Sequence, residues 1–164
     1  MPLSVTHIIL IIVVLDIFRH YVFGRAKFPR YLLVIGGIAG LAPDLDIPLS
    51  WVYNAIMGTN VYLHGLFTHS FLVVFLLLIV GIIFHYKKNL KWAKIFYVIA
   101  AGWSLHLPLD CLFGGIDKNF LWPILSANFC PQWGFEKFMI EIDALILVFW
   151  LIHEEIHNRI RDYI

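Results

Sequence analysis

Histidines and aspartates recur in this sequence at spacings that suit metal binding. His106 and Asp110 are four residues apart in "HLPLD", so on a helix they share one face and can meet one ion. Pro108 between them predicts a kink or an end of that helix. Asp44 and Asp46 flank one leucine in "PDLD", in a predicted turn, and two carboxylates so close repel each other unless a cation joins them.

The stretch "HGLFTHS" adds two histidines in front of a long apolar run. His64 and His69 are five residues apart, which is about 140° around a continuous helix. They can therefore share a face only if His64 precedes the helix. Gly65 allows such a break, and Thr68 is then the predicted cap of the helix start.

His7 completes a set of oxygen and imidazole ligands without thiolates, which suits zinc first, with manganese or iron as alternatives. The set exceeds the need of one catalytic ion, so we predict two ions that share a bridging carboxylate. Such sites favour hydrolysis, especially of phosphoesters. The predicted metal ligands are His7, Asp44, Asp46, His64, His69, His106 and Asp110.

The elements that must position these residues are membrane helices. Hydrophobic residues make up 61% of the 164-residue chain and charged residues only 14%, which is far from the balance of a soluble domain. About 20 helical residues cross the hydrocarbon core of a bilayer. The sequence predicts an all-α, polytopic membrane helix bundle in a single integral membrane domain, 1–164. Its five predicted segments are roughly 4–23, 31–43, 61–86, 92–110 and 136–153.

The second of these segments is too short to cross a bilayer comfortably. It is predicted to continue after "PDLDIP" as a broken or re-entrant element. Its stretch "GGIAG" (36–40) has the spacing of small residues that suits close packing against another helix.

The basic residues predict the orientation of the bundle. Ten of the twelve lie on one side of the predicted segments, and the positive-inside rule makes that side cytoplasmic. The N-terminus is then outside, the C-terminus is cytoplasmic, and the candidate ligands gather at the outer end of an inner-membrane protein. Glu141 and Asp143, near the outer start of the fifth segment, are additional candidate ligands. The ten basic residues are Arg19, Arg25, Lys27, Arg30, Lys87, Lys88, Lys91, Lys94, Arg159 and Arg161.

A second motif, "HEEIH" (153–157), matches the H-E-x-x-H pattern of zinc proteases. It falls at the predicted cytoplasmic end of the last helix, away from the other candidate ligands and without an evident third ligand. We interpret it as a charged helix tail. His20 and His85, at the same end, are interpreted as interfacial. Asp16 is predicted to pair with Arg19 or His20 in a structural role.

Cys111 and Cys130 bracket a predicted outer loop. A disulfide between them would stabilise that loop, and an oxidising outer compartment would permit it. The sequence leaves both states open, because the spacing does not fix the path of the loop between the two thiols.

A starting "TH", then "PDLD", "H…THS" and an "H-x-x-x-D" followed by "WP" resemble the YdjM-like family of predicted inner-membrane metal-dependent hydrolases. The likeness runs from His7 to residues 122–123. The family is distantly similar to zinc-dependent phospholipase C, and the resemblance implies the same seven residues as the metal and catalytic set. Gly65 and Leu66 stand where the family usually has arginine and glycine. If that arginine holds an anionic substrate, the change implies a different substrate choice.

The first functional hypothesis is a membrane-embedded, binuclear hydrolase that acts on an ester or lipid phosphoester at the outer membrane surface. Asp44 or Asp46 would bridge the ions or act as general base, and Lys118, Trp122 and Lys137 are candidate substrate contacts. The expected partners are membrane lipid and a small-molecule or lipid substrate. No basic block predicts a nucleic-acid partner. The alternative is a non-enzymatic metal-binding membrane protein, either a transport subunit or a structural partner.

Overall fold

A computed structural model gives the fold and describes residues 4–61, 64–65, 67–113, 120–124, 130 and 138–158. Among these residues there are six α-helices and no strand, which confirms the predicted all-α architecture. The helices are α1 (Ser4–Phe18), α2 (Tyr31–Leu41), α3 (Asp46–Met57), α4 (Phe71–Tyr86), α5 (Leu90–Phe113) and α6 (Met139–Asn158).

Helix α5 lies at the centre of the bundle, with α2 and α4 packed against it. Helix α1 packs against α2, and α6 packs against α1. One core lies between α1, α2 and α5, where Ile11, Leu32 and Val98 are buried. A second core lies between α4 and α5, around Val74 and Leu107. Many large apolar side chains remain exposed outside these cores, as expected of helices whose outer faces meet lipid.

Three helical stretches in the described part of the chain are long and apolar enough to cross a membrane: Ser4–Phe23, Tyr31–Met57 and Leu90–Phe113. Helix α4 is apolar but has only 16 residues, about 24 Å of helix. Helix α6 has 20 residues and runs past its predicted end, but it contains four carboxylates, Glu154 and Glu155 among them. The chain is a membrane protein, while the number of crossings and their direction stay predictions.

The second segment is longer than its predicted range. Helix α2 passes through a 3-10 turn at Ala42–Leu45 directly into α3, so Tyr31–Met57 is one helical path. The predicted continuation after "PDLDIP" is confirmed, and the predicted break is the 3-10 turn itself, in whose first turn Pro43 stands. Proline has no N–H to donate to the preceding turn, which accounts for the change from α-helix to the tighter 3-10 turn at this point. Asp44 and Asp46 therefore lie inside the helical path.

The neighbouring helices also differ from their predicted bounds. Helix α4 begins at Phe71 rather than near residue 61, and the Phe71 amide donates a hydrogen bond to the Phe120 carbonyl (2.9 Å). Ser70 is the residue before the helix, so Thr68 does not cap it. Helix α5 continues past Pro108 for another turn. Membrane helices tolerate an internal proline when neighbouring groups satisfy the freed carbonyl.

The small residues of "GGIAG" let α2 approach both of its neighbours closely, as their spacing predicts. A Cβ added at Gly36 would collide with the Leu15 side chain, and one added at Gly40 would collide with Ile11. On α5, a Cβ added at Gly102 would lie 2.5 Å from the Gly36 carbonyl oxygen. The α2–α5 interface is therefore a contact between backbones.

We expect Gly102→Ala to lower the free energy of unfolding by about 1–3 kcal/mol, the usual cost of overpacking. The backbone of α2 cannot move aside as a flexible side chain can, and His106 lies one turn further along the same interface. Unfolding in detergent micelles measures the loss. Gly37→Ala is the control, because its added Cβ meets the flexible Ile12 side chain at 2.9 Å. Equal losses in the two variants would contradict the backbone contact.

Candidate metal centre

Four structural elements bring the predicted ligands to one end of the bundle. His7 lies in the first turn of α1, and Asp44 lies in the 3-10 turn between α2 and α3. His69 ends the short 3-10 turn that precedes α4, and His106 and Asp110 lie near the end of α5. The three histidines and Asp110 are fully buried. Ionisable groups buried inside a membrane bundle mark function more often than structure.

The ring nitrogens of three histidines converge on two carboxylates. His69 Nε2 lies 3.2 Å from Asp110 Oδ2 and 3.5 Å from Asp44 Oδ1. His106 Nε2 lies 3.5 Å and 3.6 Å from the same two oxygens. His7 Nε2 lies 3.4 Å from Asp110 Oδ1 and 4.0 Å from Asp44 Oδ2. Five side chains thus present ligand atoms to a common centre.

The Nε2 atoms of His69 and His106 lie 3.2 Å apart. His106 Nδ1 donates to the Gly40 carbonyl oxygen (2.7 Å), which can only accept. Thr68 donates its single hydroxyl hydrogen to Asp46 Oδ2 (2.6 Å), so it must accept from His69 Nδ1 (3.0 Å). Both Nε2 atoms then direct lone pairs at each other. A cation near both nitrogens, or a proton on one ring that is shared with the other Nε2 or donated to Asp110 Oδ2 (3.2 Å from His69 Nε2), relieves this repulsion.

Asp46 lies next to the Nδ1 atoms of two histidines, His64 and His69. Its Oδ1 accepts from His64 Nδ1 (2.8 Å), and its Oδ2 accepts from the Gly65 amide (3.3 Å) and lies 3.3 Å from His69 Nδ1. Carboxylates that accept the second ring N–H of a metal-ligating histidine fix its tautomer and its orientation. Thr68, the predicted helix cap, belongs instead to this supporting layer, because its hydroxyl donates a hydrogen bond to Asp46.

The ligand atoms form two groups that share Asp110, and within each group they lie within 4.8 Å of one another. The first group comprises Asp44, His64, His69 and Asp110. The second comprises His7, His106 and Asp110. Asp110 Oδ2 approaches His69 in the first group, and Oδ1 approaches His7 in the second. A shared carboxylate is the arrangement that a two-ion centre requires.

Buried atoms without partners favour a cation in this centre. Within the described part of the chain, neither ring nitrogen of His7 has a hydrogen-bond partner, nor does Asp44 Oδ1. Such atoms cost free energy when they are buried. The donors are imidazole nitrogens and carboxylate oxygens, which suit first-row divalent ions. These residues fit a metal ion.

Two other sequence-predicted residues, Glu141 and Asp143, belong to none of the ligand groups among the described residues. Asp143 is buried and accepts a hydrogen bond from Thr6 Oγ1 (2.9 Å), which ties α6 to α1. Glu141 is exposed. Trp122 is 37% exposed. The two predicted lysine contacts, Lys118 and Lys137, lie outside the described residues.

A further group of ligand-type side chains lies near the other end of the first helix. Asp16 and His20 lie with His153 and Glu154 of α6, and their ligand atoms are within 4.8 Å of one another. The expectation that "HEEIH" has no further ligand nearby was wrong, whereas the interfacial position of His20 stays a prediction. The predicted pairing of Asp16 with Arg19 is confirmed at 3.2 Å. The sequence signal was the spacing of Asp16 and His20, four residues apart on one face.

A disulfide joins Cys111 and Cys130, which decides between the two states that the sequence left open. Their Cα atoms are 4.8 Å apart, within the ordinary range for disulfides. Cys111 directly follows Asp110, so the bond anchors the chain where it leaves the metal centre.

A comparison with models of protein families shows which family this chain belongs to. The model of the family described as YdjM inner membrane protein matches residues 1–162, nearly the whole chain. The chain belongs to the YdjM inner membrane protein family. The resemblance seen in the sequence is thereby confirmed. No curated protein and no solved structure matches the chain significantly, so the implied likeness to phospholipase C gains no support from them.

Proposed function

We propose that this YdjM-family protein is a membrane-embedded metal-dependent hydrolase with a two-ion centre. The observation that carries the proposal is the position of Asp110, whose two oxygens approach His7 (3.4 Å) and His69 (3.2 Å) in different ligand groups. Two-ion centres suit displacement reactions at phosphoesters. Zinc is the ion that the donor set favours, with manganese or iron as alternatives.

Divalent ions bound here would act as Lewis acids and lower the pKa of a nearby water towards neutrality. The exposure of Asp44 supports its role on the open side of the centre, because its side chain is 12% exposed whereas those of His7, His69 and His106 are at 0%. Asp44 Oδ1 can accept a proton from a water that approaches on that side. Asp46 holds the histidines in place instead, because its oxygens bind other groups.

The surroundings of Asp44 favour a lipid substrate. Helix α3 starts two residues later and buries only Asp46 and Ser50. Leu49 and Ile56, on its other faces, are more than half exposed. An apolar helix surface beside the open carboxylate can hold acyl chains while a headgroup ester reaches the ligands.

Two observations support an outward-facing centre in the inner membrane. The basic residues concentrate at the other end of the bundle, as the positive-inside rule requires of the cytoplasmic side. The Cys111–Cys130 disulfide lies next to the centre, and disulfides persist in oxidising compartments.

The alternative of a transport subunit draws support from the separate group of ligand-type side chains around Asp16. An ion path between that group and the metal centre would need polar atoms along the first helix. Ile11 and Leu15 occupy that stretch and are 0% and 5% exposed, with Leu32 and Val98 packed around them. A packed apolar layer is a barrier to ions. Hydrolysis is therefore the function that we favour.

The proposal is tested with purified protein reconstituted into vesicles. Chelated protein is titrated with zinc, manganese or iron and assayed on a panel of phospholipids with labelled headgroups. Headgroup release should appear with metal and disappear in His106→Ala, while His85→Ala, at the other end of the bundle, keeps it. Release that survives His106→Ala would contradict the proposal. So would metal-loaded wild type that releases nothing from any lipid of the panel.

A further inference from the structure

We infer that the protein has a second divalent-cation site, built by Asp16 and His20 of the first helix and by His153 and Glu154 of α6. Asp16 lies nine residues after His7, about 14 Å along the helix axis. The two sites therefore cannot share an ion. A small apolar core separates them, as described above.

The first helix presents its two ligands on one face. Asp16 is 1% exposed, and His20 lies one turn further on. His20 Nδ1 donates to the Asp16 carbonyl oxygen (2.9 Å), so the lone pair of this ring is on Nε2. His106 makes the same contact with the Gly40 carbonyl in the first centre. Backbone carbonyls commonly hold the second ring N–H of metal-ligating histidines in this way.

The backbone around His20 departs from the α-helix. Arg19–Phe23 form a π-helical turn that ends at Gly24. Such turns are rare and are frequent at functional sites. His20 lies in this wider turn, and its ring atom Nδ1 is 3.3 Å from Asp16 Oδ1.

Helix α6 supplies the other two ligands through the start of "HEEIH". His153 Nδ1 lies 3.9 Å from Asp16 Oδ2, and its ring stands edge-on to that of His20, with centroids 5.1 Å apart. Glu154 completes the group. Two imidazoles and two carboxylates are a full donor set for a four-coordinate zinc ion. At this site the motif would supply two adjacent residues, His153 and Glu154, as ligands. In zinc proteases the two histidines of the motif bind the metal instead.

The arginines nearby provide the competing explanation. Arg19 Nη1 lies 3.2 Å from Asp16 Oδ1, and Arg19 Nε donates to the Phe28 carbonyl (3.0 Å). Arg19 and Arg30 also line a cavity of about 300 Å³ together with Glu154. Two guanidinium groups can balance two carboxylates without an ion. The two imidazole rings also have protein contacts, because His20 Nδ1 lies 2.9 Å from the Asp16 carbonyl oxygen and His153 Nε2 lies 3.4 Å from the Tyr21 hydroxyl. The two explanations differ in the number of ions that each chain binds.

A cation at this site would fasten α6 to the bundle. Helix α6 packs mainly against α1. Near the start of α6 the contact is held by the hydrogen bond from Thr6 to Asp143. The second site would hold the other end of α6, with all four ligands from the protein and no open position, as in structural zinc sites.

Counting zinc ions per chain in the full-length protein tests the site. Protein in detergent is dialysed against trace zinc and analysed for metal. Asp110→Asn, which disrupts the first centre, is expected to keep one ion. Adding Glu154→Gln or His153→Ala should remove that ion, whereas Glu155→Gln should not. Glu155 is the matched control, because it follows Glu154 directly but is exposed and lies outside the group.

Cobalt(II) absorption and thermal unfolding give independent readouts. Zinc should raise the melting temperature of Asp110→Asn by several degrees and leave that of Asp110→Asn/Glu154→Gln unchanged. The near-isosteric Glu154→Gln keeps the test valid if His153→Ala fails to fold. An Asp110→Asn protein that binds no zinc and shows no cobalt absorption would overturn the inference. So would an ion that persists in both α6 variants. Loss of hydrolysis alone would contradict the function proposed for the first centre, and it would not change the number of zinc ions expected at the second site.

Discussion

Asp110→Asn is expected to remove both ions from the first metal centre and to reduce hydrolysis to background. Both ligand groups include this side chain, and the amide replaces one of its oxygens by an NH₂ group that cannot bind a cation. Zinc affinity should fall by more than about 100-fold, because loss of a mere outer-shell partner already costs 10–100-fold. Competition titration with a chelator measures the affinity, and elemental analysis measures the count.

Asp143→Asn is the matched control for this prediction. Asp143 is a second buried carboxylate near the same end of the bundle, and its Oδ2 accepts from Thr6 (2.9 Å). An asparagine can still accept that hydrogen bond, so metal content and hydrolysis should stay at the wild-type level. If Asp110→Asn retained both ions, Asp110 would not be the shared ligand, and the two-ion centre would lose its central argument.

Much of the first centre could be predicted from the sequence because ionisable residues are rare in apolar segments. His7, His69, His106 and Asp110 each stand near one end of a helix, and helices that pack side by side bring such ends together. The four-residue spacing of His106 and Asp110 already placed both on one face. These residues could therefore be recognised as candidate ligands, because an ionisable group buried within a membrane protein is costly and usually has a function.

The roles within the centre could not be predicted in the same way. Asp44 and Asp46 look equivalent in "PDLD", yet a 3-10 turn directs Asp44 to the histidine Nε2 atoms and Asp46 to their Nδ1 atoms. Side-chain directions in such a short turn depend on long-range partners. The pairing of α6 with α1 is equally absent from any local pattern, which is why His20 and His153 were not connected. No local pattern could show whether Cys111 and Cys130 are close enough to form a disulfide, because the fold brings them together.

Asp46→Asn is expected to weaken zinc binding at the first centre by about 10–100-fold while two ions still bind at saturating zinc. The amide oxygen can accept either the His64 ring N–H or the Thr68 hydroxyl hydrogen, through which Asp46 supports His69, but the NH₂ group cannot accept the other. One imidazole then loses the partner that fixes its tautomer and its orientation. The binding isotherm gives the affinity, and the cobalt(II) spectrum reports the altered ligand field.

A companion variant, Thr68→Val, tests the same supporting layer at one histidine. It removes the hydroxyl that donates to Asp46 (2.6 Å) and accepts from His69 (3.0 Å), whereas the contact of Asp46 with His64 remains. Its effect on zinc affinity should be at the lower end of the range, about tenfold. Ser70→Ala is the control from the same stretch, because the Ser70 hydroxyl donates to the Phe67 carbonyl (2.8 Å) and not to the centre.

The number of ions bound by Asp46→Asn at saturation decides between the two roles of this residue. A ligand contributes an atom to the ion itself, so its loss lowers the count, whereas a positioning residue changes only the affinity. Two ions at the first centre at saturation, in addition to the one inferred at the second site, would mean that Asp46 holds the histidines in place. One ion at the first centre would make Asp46 a ligand, as its position in "PDLD" predicts, and the proposed roles of Asp44 and Asp46 would then be wrong.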